Sequence, residues 1–174
     1  FAALTLLIPS LAIAQITTPT EWSGSAKLFG TDVPARIVVS PDGAALIDLR
    51  GDVHFRRCFD GSTAWGDDFG TPSSTLHFSE KDSIIAIGAA LSGEWNTDHS
   101  PLTISRADNA ITFTIENSPL HGTITADDLN HATSITLASG EHDSILTIRG
   151  WHESDGLWSP KSITLASASI GDLD

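Results

Sequence analysis

Four histidines, His121, His131, His142 and His152, recur every ten or eleven residues through the second half of the chain, a spacing that could gather imidazoles along one edge of a sheet. Such a row could hold a metal ion. Hairpin strands that start at even intervals produce the same period without any metal, and ligating imidazoles need partners that fix their rings, which the sequence does not display. No metal is expected. His152-Glu153 opens like a zinc-protease helix, but the second histidine is missing and the surrounding pattern is that of a β-hairpin. Asp67-Asp68 and Asp127-Asp128 are adjacent pairs, and neighbouring side chains diverge on an extended backbone, so they read as solvated loop acids rather than an acid–base dyad. Asp60-Gly61-Ser62-Thr63 has the wrong order for an aspartic protease, and Arg50-Gly51-Asp52, which spells an adhesion tripeptide, sits where a hairpin turn is expected. The chain contains no G-x-S-x-G, no H-E-x-x-H, no phosphate-binding glycine loop and no paired C-x-x-C. A non-catalytic protein without a cofactor is the expectation.

Charge and cysteine content narrow the partners. Nine basic residues against 22 acidic ones give a net charge of −13, which repels phosphate backbones and anionic membrane surfaces alike. Nucleic acid is therefore not an expected partner. Cys58 is the single cysteine, so no intrachain disulfide can form and stability must come from packing.

Phe1 to Ala14 is apolar, uncharged and closes on Ala12-Ile13-Ala14, a small-x-small pattern of the kind a signal peptidase cuts after. Fourteen residues fall short of the roughly 20 that a membrane-spanning helix needs. The reading is an incomplete signal peptide over residues 1–14, with a single domain over 15–174, periplasmic or secreted. Gln15 rather than cysteine follows the presumed cut, so no lipid anchor and no stable membrane insertion are expected.

The elements beyond Glu21 alternate apolar and polar residues between turn signals, the signature of antiparallel strands. Strands are expected at Trp22–Leu28, Ala35–Val39, Ala45–Leu49, Val53–Phe59, Thr63–Asp67 and Leu76–Phe78, with turns at Gly30-Thr31-Asp32, Pro41-Asp42-Gly43 and Asp60-Gly61. The second half continues at Leu102–Arg106, Ile111–Glu116, Leu120–Thr125, Ser134–Ala138, Ile145–Trp151 and Trp158–Leu165. One segment departs from this rhythm. Within Ser79 to Leu91, the residues Ile84, Ile87, Gly88 and Leu91 share one helical face; Ser79 and Asp82 have capping-box spacing, and Gly93 stands where a helix would stop. The spacing predicts a mainly β protein of about 11–12 strands with one helix, the sheet strongly curved and the helix across its concave side.

Phe59-Asp60-Gly61-Ser62-Thr63-Ala64-Trp65 resembles the x-D-G-x-x-x-W hairpin of the periplasmic lipoprotein-carrier (LolA/LolB-like) superfamily, and Gly150 to Pro160, with its D-G-x-x-x-P turn, resembles a late hairpin in exported relatives of that superfamily. The resemblance implies a half-open antiparallel barrel with a helical lid after the early strands, the same order as that read above. It also implies a concavity that takes a lipid, an acyl chain or another apolar ligand, each buried methylene contributing roughly 0.8 kcal/mol. Phe55, Trp65, Leu76, Phe78, Ile84, Ile87 and Trp95 are the candidate lining; the competing reading is that they form a filled core. A second functional reading makes the domain an accessory interaction module of a larger exported enzyme or cell-envelope assembly.

Overall fold

The computed structural model describes residues 18–28, 31–52, 54–68, 71–107, 110–138, 143–154, 157–167 and 171–173. The expected leader lies outside them. Thirteen strands and one helix follow in the order β1 (Thr20–Leu28), β2 (Thr31–Val39), β3 (Ala45–Arg50), β4 (His54–Phe59), β5 (Ala64–Asp68), β6 (Ser74–Thr75), α1 (Phe78–Ser92), a 3₁₀ turn (Glu94–Asn96), β7 (Leu102–Ala107), β8 (Ala110–Ile115), β9 (His121–Ala126), β10 (Ala132–Ala138), β11 (Asp143–Ser154), β12 (Leu157–Ser167) and β13 (Gly171–Leu173). The protein is mainly β, as the alternation predicts. Two antiparallel meanders of six strands each, β1–β6 and β7–β12, are joined edge to edge by β13, giving the order β6-β5-β4-β3-β2-β1-β13-β12-β11-β10-β9-β8-β7. The sheet does not close, because β6 and β7 stand at its two ends.

Helix α1 touches β2, β3, β4 and β5 and also β10. Strands of both meanders therefore pack against the one helix. One hydrophobic core results: Ile37, Ile47, Leu49 and Phe55 of the first meander share it with Phe113, Ile124, Ile135, Leu146 and Leu165 of the second.

The helix opens on a polar stretch, Ser79–Ser83, and is mostly apolar from Ile84 onward. Every residue from Ile84 to Ser92 is buried, so the one-faced pattern read from the sequence is part of a fully enclosed segment. Gly88 permits that enclosure, because a Cβ there would run into the Gly43 carbonyl oxygen and stand 3.1 Å from the Ala45 Cβ. Gly93, with φ of 82°, ends the helix in the left-handed conformation that glycine adopts without strain.

Several local expectations are corrected. The capping box does not form: His77 is the N-cap and makes no side-chain capping bond, Ser79 lies inside the helix, and the buried Asp82 carboxylate accepts the Ser118 hydroxyl instead. The strand expected at Leu76–Phe78 is the two-residue β6 at Ser74–Thr75, and Phe78 already opens the helix. Thr31 and Asp32 belong to β2 rather than to a turn, since Leu28 pairs with Thr31 across a two-residue connection. Pro34 is tolerated in β2 because the pairing with β3 begins only at Ala35, leaving Pro34 a single neighbouring strand.

Candidate functional site

Alternation along β3, β4 and β5 decides which predicted residues meet. Phe55, Leu76, Ile84, Ile87 and Trp95 all join the common core, Ile87 at 2% and Trp95 at 1% exposure. The Phe78 side chain lies outside the described residues. Trp65 belongs elsewhere: its neighbours Ala64 and Gly66 are buried inward, so it projects from the opposite face, half-buried, beside Cys58 and Thr75 across the register. The cause is the two-residue period of a strand, which sends Trp65 away from the face that carries Ala64. Trp65 is thus placed apart from the other candidates.

Arg57, which the sequence reading did not single out, is the polar centre of the inner face. It shares the inward side of β4 with Phe55 and is 6% exposed, its guanidinium 4.1 Å from the Phe55 ring centroid. Nη2 donates to Glu80 Oε1 in the first turn of α1 at 2.7 Å. Nη1 donates to the Arg56 carbonyl at 3.0 Å and lies 2.7 Å from Asp68 Oδ1. Asp68 Oδ1 receives no well-directed hydrogen bond, so that contact is an ion pair alone. Arg57 therefore ties the start of the helix to two strands. Its signal in the sequence was a basic residue at an inward position of an alternating strand, where an apolar residue is the norm.

The outer face of the same strands carries alternating charges in register: Arg36 opposite Asp48, Asp48 opposite Arg56, Arg56 opposite Asp67. Asp48 is 1% exposed beneath this lattice, with Arg50 at 2.7 Å and Arg56 at 3.7 Å. Opposite charges across strands stabilise register by a few tenths to about 1 kcal/mol per pair.

The histidines do not gather. His121 opens β9, His131 follows the end of that strand, and His152 is exposed on β11 against Ser159; His142 lies outside the described residues. Among the described residues there is no group of three or more metal-ligating side chains. His131 is 2% exposed, stacks on Trp151 at 5.0 Å and lies tilted against Trp158 at 4.4 Å. Its Nδ1 is 2.9 Å from Asp127 Oδ2, while Asp127 Oδ1 accepts the Leu129 and His131 amides. Burial pushes the Asp127 carboxyl up, but those hydrogen bonds outweigh it and hold the group below the usual range. The arrangement locks the β9–β10 loop.

Asp60, the acid of the Phe59–Trp65 hairpin motif, works the same way. Its Oδ1 accepts the Ser62 and Thr63 amides at 2.9 and 2.7 Å, which lowers its pKa. Glu94 is the opposite case, raised by burial and then by nearby Asp42; it lines an open surface hollow of about 560 Å³ with Asp42, Asn96, Thr97, Asp98 and His99. The signs give a test. Lowered carboxyls contribute stability above their unfolded pKa and lose it as pH falls through the folded one; a raised carboxyl favours the fold at low pH and loses that contribution as pH rises through its folded pKa. Glu94→Gln is therefore expected to raise stability at pH 7 and leave it unchanged at pH 3. Asp60→Asn should lower stability at pH 7 and flatten the acid limb, both read from urea melts across that range.

A second cavity, of about 310 Å³, opens between β1 and β12 and is lined by Glu21, Trp22, Ser23, Gly24, Ala35, Ile37, Lys161, Ser162 and Ile163. The Trp22 indole crosses it to donate to the Pro160 carbonyl at 3.0 Å. No model of a known protein family matches the chain, and no curated protein matches its sequence.

Proposed function

We propose that this is an exported, non-catalytic domain of half-barrel type that carries a lipid, an acyl chain or another apolar ligand between α1 and the inner face of the sheet. The observation that supports this reading is the Arg57–Glu80 contact. It fastens the polar first turn of α1 to the sheet through a side chain that is half-exposed on the helix side, Glu80 being 52% accessible against 7% for Arg57. Behind that contact lie Phe55, Ile84 and Ile87, which offer an acyl chain an apolar surface once the helix swings aside. The helix fills the inner face by itself, so the ligand competes with it. Opening costs the helix's own burial, and the ligand's methylenes offset that cost at roughly 0.8 kcal/mol each. The leader-like N-terminal residues and the resemblance of the Phe59–Trp65 hairpin to lipoprotein carriers support the same reading.

Titrating the protein with oleate below its micellar concentration, with tryptophan emission as readout, tests it. A saturable change is expected, and Glu80→Gln should tighten binding several-fold because it weakens the closed form without touching the core. No saturable change in either protein overturns the reading. A second reading, an accessory interaction module, is favoured by the edges of β1 and β12 that have no strand beside them among the described residues.

A further inference from the structure

We propose that the ligand of the inner face is a single-chain amphiphile with a carboxylate head, and that Arg57 selects it by binding that head where Glu80 sits in the closed form. This rests on the carrier reading and adds to it the chemical class of the ligand.

Arg57 occupies a place shaped for it. Across the register it lies between Ile47 of β3 and Gly66 of β5. A Cβ on Gly66 would stand 3.0 Å from Nη1 and 3.1 Å from Cδ of Arg57, so the glycine gives the side chain its room on that flank. The Phe55 ring lies against the guanidinium, and Ile47 and Leu49, both fully buried, continue the apolar face on β3. A cation is rare on such a surface, because burying it costs heavily unless its charge and donors are met.

Those donors are met from two sources, and only one of them stays when the helix leaves. Nη1 faces groups of the sheet: the Arg56 carbonyl at 3.0 Å, the Asp67 carbonyl at 3.4 Å and the Asp68 carboxylate at 2.7 Å. Nη2 donates to Glu80, which belongs to the helix. Opening therefore strips a carboxylate from Nη2 and leaves Nη1 as it was. A neutral ligand would leave the cation with one anion fewer in an apolar setting, and removing one partner of a buried ion pair is costly. A carboxylate head restores the charge-assisted bond. It brings no new crowding, since two carboxylates, Glu80 and Asp68, already share this guanidinium in the closed form.

Exposure sets the orientation. Glu80 and Asp68 are about half accessible while Arg57 is nearly covered, so a head bound to Arg57 lies at the mouth and the tail runs inward over Phe55, Leu49 and Ile47. The net charge of −13 repels anions at long range, so any preference for a carboxylate must arise locally at Arg57.

The test compares oleate with oleyl alcohol, which carry the same tail, each below its aggregation limit and with tryptophan emission as readout. Oleate is expected to bind wild type and Glu80→Gln about tenfold more tightly than the alcohol. The two should bind Arg57→Gln, checked for folding by circular dichroism, with equal affinity. Loss of the helix contact in that variant shifts both ligands together, so the ratio reports the head alone. If Arg57→Gln does not fold, wild type decides: the Arg57 guanidinium N–H groups should exchange with water about tenfold more slowly in the oleate complex than in the alcohol complex, and equal exchange overturns the proposal. Wild type binding the alcohol as tightly as oleate, or an oleate preference that survives Arg57→Gln, overturns the head-group proposal and leaves the carrier reading standing. No saturable binding of either ligand overturns both.

Discussion

Ile87→Asp is expected to abolish folding, giving a chain with no cooperative urea transition and loss of the β-type circular dichroism. Ile87 is 2% exposed at the middle of α1, in a core shared by both meanders. Aspartate there removes the branched side chain and places a carboxylate in the shared apolar core; Arg57, the inner-face cation, is engaged with Glu80, Asp68 and backbone carbonyls at the start of the helix. The combined cost is roughly 5 kcal/mol, comparable to the whole stability of many domains. Ile87→Val, which removes one methylene, should cost only about 1 kcal/mol. A folded Ile87→Asp variant would mean that the helix does not fill the inner face as described. It would also strengthen the carrier reading, because it would reveal room and water beside the helix.

Gly122→Val is expected to be nearly as damaging, at about 3 kcal/mol or more, although valine is the better strand former. Gly122 faces inward on β9 between Phe113 of β8 and Leu137 of β10. A Cβ at this position would collide with the Thr136 carbonyl oxygen and stand 2.6 Å from Cε1 of Phe113, whose ring lies over the glycine. An aromatic side chain covering a strand glycine is a known way of filling the missing side-chain volume. The collision with backbone is the decisive part, since a ring can turn but the β10 carbonyl cannot move without disturbing the pairing to β9. Gly122→Val with Phe113→Leu should therefore recover only part of the loss. Full recovery in the double variant would assign the whole effect to the ring.

Much of the fold was legible because its causes are local. Period-two alternation placed most of the strands within a few residues of their positions, since each strand must turn one apolar face to a core whatever lies opposite. The helix was legible from Ile84, Ile87 and Leu91, and its end from Gly93, where the left-handed conformation needs glycine. The capping box was misread because Asp82 found its hydrogen bond 36 residues away at Ser118, a partner that local spacing cannot reveal. Trp65 was grouped with the inner-face residues because apolar character alone does not tell which side of a strand a residue takes; that follows from the parity of its neighbours Ala64 and Gly66.

The sequence by itself determined the class: an acidic, mainly β chain with one helix and a lone cysteine. These depend on composition and on periods of two and 3.6 residues. Only the tertiary structure decided what those elements do to one another. It placed Arg57 against Glu80, buried Asp48 under a lattice of arginines, and set His131 against Trp151 and Trp158. Among the described residues it also set β13 between β1 and β12. Each of these depends on which strands lie side by side and in which register, a choice made by packing across the whole sheet rather than by any local run of residues.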